Sequence, residues 1–306
     1  MDRGLGRKQI ESEVESMRIT VTVPATSGNV GPGFDAMGLA LALYNQFEFE
    51  PAERWEFVGF SEKYRTEDNM VVRAFKKTFE AANVPPRPFR VALTQCIPIA
   101  RGLGSSASCI VAGVTAANYY LEGRLSAREL LNIAAEIEGH PDNVAAAFHG
   151  SLICAYEQNN DFYYVKYPVC ESLLFTVAIP NFTLPTAKAR AALPDALSYD
   201  KITYSLARAI NIPDAMGRGE IDKLFFLLDD RLHQPYRLAL ISESQKFRSF
   251  SRKHKIPFWV SGGGPALVFV SKQNIDYMLQ HIQLDFRWQF ITLKVDQDGT
   301  RVREKR

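Results

Sequence analysis

Pro98-Ile-Ala-Arg-Gly-Leu-Gly-Ser-Ser-Ala-Ser108 separates two apolar runs of different period. Before it, Phe89–Ile97 has the β-branched and aromatic character of a strand; after it, Ser105–Leu121 has the length and spacing of a helix. Gly102 and Gly104 let the backbone turn tightly and come close to a ligand. A helix that begins at Ser105 aims its free N–H groups and the positive end of its dipole at this loop. That combination is an anion site, usually for phosphate. The hydroxyls of Ser105 and Ser106 can donate to phosphate oxygens or ligate magnesium. No Gly-Lys-Ser/Thr follows, so the loop is not a Walker A loop. A lone GxG would more often be a plain strand-to-helix turn with a serine N-cap, but this tract is longer and has company.

Outward from the loop lie two further glycine-rich segments. Pro24-Ala-Thr-Ser-Gly-Asn-Val-Gly-Pro-Gly-Phe-Asp35 follows a strand-like run, Arg18–Val23, and precedes an apolar run, Leu39–Phe49. Proline stiffens such a segment and glycine makes it approachable, so it can hold the Asn29 amide and the Asp35 carboxylate at a substrate. An ordinary surface turn has the same composition. Ser261-Gly-Gly-Gly-Pro265 interrupts the apolar stretch Phe258–Val270, which reads as strand, turn, strand. Each interior glycine costs about 0.5–1 kcal/mol relative to alanine, which implies that something needs the space; a flexible hairpin tip is the plainer alternative.

The remaining pattern predicts a helix over Asp68–Asn83 that closes at Pro85 and Pro86. Another opens with a Ser126/Glu129 capping box and buries Leu130, Ile133, Ala134 and Ile137. Gly139–Asn143 is a polar turn. Strands are expected at Ser151–Tyr156, Phe162–Tyr167 and Leu173–Ile179, then a mostly helical region to Lys255. This mixed order predicts an α+β fold. With 306 residues the chain has room for two lobes, 17–168 and 169–306, divided near Tyr167–Ser172. Residues 1–16 are charged throughout and lack the apolar core of a secretory signal. They read as an extension, with Met17 as a natural start.

The +2 net charge, spread over 36 basic and 34 acidic residues, gives no reason to expect nucleic acid. No apolar run reaches the roughly 18–20 residues needed to span a membrane. Cys96, Cys109, Cys154 and Cys170 are far apart and form no CxxC pair, so they are expected as reduced core residues of a cytoplasmic protein.

Together and in order, the three glycine-rich segments resemble the signatures of the GHMP kinase superfamily, which includes galactokinases, homoserine kinases and mevalonate kinases. The resemblance runs from Met17 to the end. Within it, Ala25–Asp35 followed by Gly38-Leu-Ala-Leu, and Glu138-Gly-His-Pro-Asp-Asn-Val-Ala145, are most similar to the homoserine kinases. It implies a two-lobed GHMP-kinase-like fold, with a ribosomal-protein-S5-domain-2-like N-terminal lobe, a ferredoxin-like C-terminal lobe and ATP between them. The implied activity is magnesium-dependent phosphorylation of the side-chain hydroxyl of L-homoserine, a step of threonine biosynthesis. Relatives are often dimers, so a homodimer is expected.

The same resemblance implies the site. Pro98, Ile99, Ala100, Arg101, Gly102, Leu103, Gly104, Ser105, Ser106, Ala107 and Ser108 would form the nucleotide loop with Gly262 and Gly263, and Arg101 to Ser106 would wrap the phosphates. Ser106 would ligate Mg²⁺ together with Glu136 or Glu138. Asn69 matches an adenine-contacting position and also fits a helix N-cap. Arg190 and Arg237 match positions that take the substrate carboxylate, a task suited to the guanidinium fork; each also fits a surface ion pair. Asp35 would hold the ammonium group, Asn29 the hydroxyl, and His140 would line the pocket. Asn29 and Asn143 would align the hydroxyl, which loses its proton late and without a strong base, while Arg190 anchors the carboxylate. Gly28 and Gly263 stand where alanine is usual, and Val30 where leucine is. A kinase of the same superfamily acting on mevalonate, shikimate or a sugar is the nearest rival, and a non-catalytic nucleotide-binding relative is another.

Overall fold

The computed structural model describes residues 17–305; the expected extension over residues 1–16 lies outside the described residues. The N-terminal half runs β1 (Arg18–Gly28), β2 (Met37–Pro51), β3 (Glu56–Val58), α1 (Met70–Ala81), β4 (Phe89–Thr94), α2 (Ser105–Tyr120), α3 (Ala127–Glu138), α4 (Pro141–His149), β5 (Leu152–Gln158) and β6 (Asp161–Tyr167). There follow β7 (Leu174–Pro180), α5 (Thr186–Ala191), α6 (Tyr199–Ala209), α7 (Ile212–Arg218), α8 (Ile221–Leu227), α9 (Gln234–Leu238) and α10 (Ser244–His254). The chain closes with β8 (Phe258–Val260), β9 (Leu267–Ser271), α11 (Asp276–Gln280), β10 (Trp288–Leu293) and β11 (Arg301–Lys305).

β1 is buried at every second residue up to Val23 and continuously after it. The change coincides with an irregularity in its antiparallel pairing with β2: Pro24 faces Tyr44 but Ala25 faces Leu41, so Ala42 and Leu43 have no partner on β1. Ile19, Val21 and Val23, with Phe47, Phe49 and Val91 of the neighbouring strands, meet the apolar sides of α1 to α4 in one core. Past the bulge, Ala25, Leu39 and Leu41 belong to a second core. It also takes Phe175, Val177 and Val268 from the smaller sheet, whose antiparallel order is β10-β7-β9-β8. A third core of Phe247, Phe250, Phe269 and Trp288 covers that sheet's other face. Burial on both faces explains why Leu173–Ile179, apart from the buried Thr176, and Leu267–Val270 are apolar without alternation.

The expected helix over Asp68–Asn83 is α1 with Asn69 as its N-cap, and the Ser126/Glu129 capping box opens α3. One strand goes beyond the sequence reading, and one expectation needs correction. The last strand does not stay with the C-terminal half: β11 pairs antiparallel with β1, Val302 opposite Val21, and completes the seven-stranded sheet. Cys96 is exposed rather than core, because it lies where the chain leaves β4 for the glycine loop, while Cys109, Cys154 and Cys170 are partly buried. Burial pushes the thiols of Cys109 and Cys154 up to about 12 and about 11, which keeps both protonated. Among the described residues, no helix is long and apolar enough to cross a membrane.

Candidate active site

The three glycine-rich segments are bonded to one another. Thr26 N donates to Leu103 O at 3.2 Å, Ala266 N to Arg101 O at 3.1 Å, and Gly262 N to Gly28 O at 3.1 Å. Ser261 Oγ donates to Gly102 O at 2.5 Å and lies 2.8 Å from Ser27 Oγ, which also accepts from the Trp259 indole at 2.9 Å. Gly102 and Gly104 have φ of 79° and 68°. A Cβ on the first would overlap the Ser261 carbonyl oxygen, and one on the second Thr26 Oγ1. These glycines therefore serve the joint between segments as well as the approach of a ligand. The three segments wall a cleft of about 570 Å³.

At its centre α2 begins with no side-chain cap on its N-cap residue, Gly104, so its first N–H groups face the cleft unclaimed by a side chain. Ser106 Oγ donates to Glu138 Oε2 at 2.6 Å, and burial of Glu138 raises its carboxyl pKa. Glu136 does not share this place. Two residues along a helix lie roughly 200° apart, so Glu136 points to solvent and pairs with Lys77 of α1. Not every residue of the expected nucleotide loop lines the cleft. Ala107 is fully buried core, and Pro98 does not reach the cleft. Ser108 is buried, donating to Ser105 O at 2.8 Å and accepting from Asn45 at 3.0 Å. Arg101 lines the cleft but donates its guanidinium N–H groups to the carbonyls of Ile99, Pro180 and Asn181, which ties the loop to the end of β7. Asn69 lines the cleft with its amide engaged at both ends, donating to Tyr64 O at 2.6 Å and accepting from Val71 N at 2.9 Å.

The other end of the cleft carries the expected substrate residues. Asn29 and Asp35 both have positive φ, 70° and 53°. Asn29 Nδ2 donates to Gly262 O at 2.8 Å and its Oδ1 accepts from Asp35 N at 2.9 Å, so it braces this loop against the glycine hairpin. Asp35 accepts two 2.9 Å bonds from the Arg190 fork. Arg237 is 2% exposed, and donates to Gly262 O at 2.9 Å and to His233 Nδ1 at 3.2 Å. Its Nε has no partner among the described residues, and no carboxylate there lies within ion-pair distance of it. His233 is neutral: burial lowers its pKa, and with Nε2 donating to Gly31 O at 2.7 Å, Nδ1 is left to accept.

His140, the N-cap of α4, lies with Nδ1 2.6 Å from Asp142 Oδ1. Burial alone would lower its pKa, but the bond to Asp142 and the nearby carboxylates of Glu138 and Asp35 outweigh that and raise it. Asp142 is 1% exposed and also accepts from the backbone N–H of Asn143 and of Asn29. Asn143 Oδ1 accepts from Thr26 at 2.8 Å, and its Nδ2 donates to Asp142 at 3.2 Å. A Cβ on Gly28 would overlap Asp142 Oδ2 and Asn143 Nδ2, so this glycine is not a neutral exchange for alanine. At Gly263 the nearest atom to such a Cβ is that of Ala189, 3.3 Å away.

Several lining residues escaped the sequence reading, among them Phe60, Tyr64 and Arg73 near Asn69, and Asn45. Asn45 Oδ1 accepts from the N–H groups of Cys96 and Ile97, both at 2.9 Å, and so fixes the approach to the glycine loop. A signal for it existed: with Gln46 it forms a pair of adjacent amides set between the apolar residues Leu39–Tyr44 and Phe47.

Residues 69–151 match the GHMP kinases N-terminal domain family. Over 295 residues the chain is 36% identical to a homoserine kinase of Clostridium botulinum, covering 94% of this chain and 99% of that one. It is 37% identical over 296 residues to a homoserine kinase of Caldicellulosiruptor bescii, covering 93% and 96%. A crystal structure of homoserine kinase from Cytophaga hutchinsonii superposes with a TM-score of 0.83 at 23% identity, over 93% of this chain and 97% of that one. With near-complete coverage and a shared fold, the chain belongs to the homoserine kinases of the GHMP kinase family.

Proposed function

We propose that this chain transfers the terminal phosphoryl group of ATP to the side-chain hydroxyl of L-homoserine, giving O-phospho-L-homoserine and ADP in the cytoplasm. One observation carries the reading: a single cleft holds an uncapped helix N-terminus beside a glycine loop at one end and an Asp35/Arg190/Arg237 set at the other. The first suits a polyphosphate, the second a zwitterion.

The N–H groups at the start of α2 would cradle phosphate, and Phe60, Tyr64 and Asn69 would border the base. Magnesium fits Ser106 and Glu138, a hydroxyl beside a half-buried carboxylate that forms no ion pair among the described residues; when bound, it would offset charge on the phosphates. Arg237 and Arg190 would take the substrate carboxylate and Asp35 the ammonium group. Asn29 and Asn143 each retain one unengaged amide N–H or lone pair with which to align the hydroxyl. Orientation and fixed charge supply most of the rate in such a transfer, so the hydroxyl proton can leave late, to a phosphate oxygen.

The test is coupled ADP release with ATP and magnesium across L-homoserine, mevalonate, shikimate and galactose. Turnover with homoserine alone is the expected result. Release with another member of the panel and none with homoserine would overturn the substrate, and loss of magnesium-dependent nucleotide affinity would overturn the kinase itself.

A further inference from the structure

Phe34 is half-buried next to Asp35 and carries no group that chemistry could use, yet two guanidiniums from different helices converge on its ring. Arg190 Cζ of α5 lies 5.6 Å from the ring centroid and Arg237 Cζ of α9 lies 5.2 Å from it. The His233 ring, bonded to Arg237, is 5.4 Å away and tilted by 33°. Two like charges brought to one end of a cleft repel each other, and only Arg190 has a carboxylate partner. An aromatic ring offers both a negative π face, which an aliphatic side chain of similar volume does not. The loop that carries the ring is braced on either side of it: Asp35 N donates to Asn29 Oδ1, and a Cβ on Gly33 would overlap Met37.

We infer that Phe34 is a positioning residue that holds Arg190 and Arg237 together as one grip on the substrate carboxylate. The inference rests on the proposed function, in which both arginines take that group. The ring touches no reacting atom. Its contribution is to keep two long cationic side chains converged before the substrate arrives, which limits what binding must order.

Phe34→Leu keeps the apolar volume and removes the π face. Two cation–π contacts at a half-buried position are together worth roughly a 5- to 30-fold effect. KM for L-homoserine should rise by that factor, with kcat within about threefold of wild type and KM for ATP unchanged. The dissociation constant of L-2-aminobutyrate, which keeps the carboxylate and ammonium group but lacks the hydroxyl, should rise in parallel. Phe34→Tyr, which restores the ring, should return both constants to within about threefold of wild type. A leucine variant indistinguishable from wild type would overturn the inference. So would one whose KM for ATP and thermal midpoint shift along with homoserine, since that marks a general structural lesion. Failure of the wild type to phosphorylate homoserine would instead strike the proposed function, and the two failures are separate.

Discussion

Arg190 and Asp35 satisfy each other through two 2.9 Å bonds, and an amino acid offers each of them the charge it now takes from the other. The Arg190 side chain is 46% exposed, so the pair contributes little to stability, about 0–1 kcal/mol. Arg190→Ala should therefore leave the thermal midpoint nearly unchanged while homoserine kcat/KM falls by about 30-fold, the lower end of what losing a charge-assisted partner costs in a desolvated site. Turnover within about threefold of wild type would remove Arg190 from the site. Glu138 behaves in the opposite way. Burial raises its folded pKa above the unfolded value of 4.5, so its ionised form opposes folding, and that penalty grows as pH rises past 4.5. Glu138→Gln should melt higher than wild type at about pH 7 without nucleotide or magnesium, and the difference should vanish below about pH 4. Its kcat should drop about 100-fold or more if the carboxylate supports the magnesium ion. A lower melting point at neutral pH would mean that the Glu138 carboxylate stabilises the fold.

At the scale of elements, the joint between the glycine loop and the Ser261–Pro265 hairpin sets where α2 points. Gly102 sits at φ 79° with its missing Cβ directed at the Ser261 carbonyl. Gly102→Ala adds about 1 kcal/mol of left-handed strain and a clash with backbone that no rotamer relieves. A loss of roughly 2–4 kcal/mol in chemical denaturation is expected, with at least about a tenfold rise in KM for ATP. Gly263→Ala, whose Cβ would press on the Ala189 methyl at 3.3 Å rather than on backbone, should cost no more than about 1 kcal/mol and change KM for ATP by less than about twofold. The glycine loop, the α3 capping box and the strand patterns were legible because each is a local rule written in adjacent residues. The choice between Glu136 and Glu138 needed the end of α3 in register, where a two-residue shift reverses the face. The bonds of Ser108 with Asn45, of Asn29 to Gly262 and of Asn69 to Tyr64 were not legible, because no spacing reveals such partners. β11 escaped because Arg-Val-Arg-Glu-Lys carries one apolar residue in five, and its partner β1 lies at the other end of the chain.

Over the whole molecule the cleft sits on a seam that is itself core. Ala25, Leu39 and Leu41 of the larger sheet pack with Phe175, Val177 and Val268 of the smaller one, and β11 returns from the second half to edge the first sheet. The fully buried Trp259, on β8, donates across this seam to Ser27 of β1. Two sheets that share a core, one of them edged by a strand from the other half, should unfold as one unit, because neither can lose its packing without exposing the other's. The chain carries its own probes: Trp55 in the first core, Trp259 at the seam and Trp288 in the third core. In a variant that keeps Trp55 alone, and in another that keeps Trp288 alone, with phenylalanine at the other two positions, fluorescence and far-ultraviolet circular dichroism should give coincident urea midpoints and m-values. If Trp55 fluorescence changed at a urea concentration where much of the circular dichroism persisted, the halves would be separable. The cleft would then owe its shape to docking of two independent lobes rather than to a continuous core.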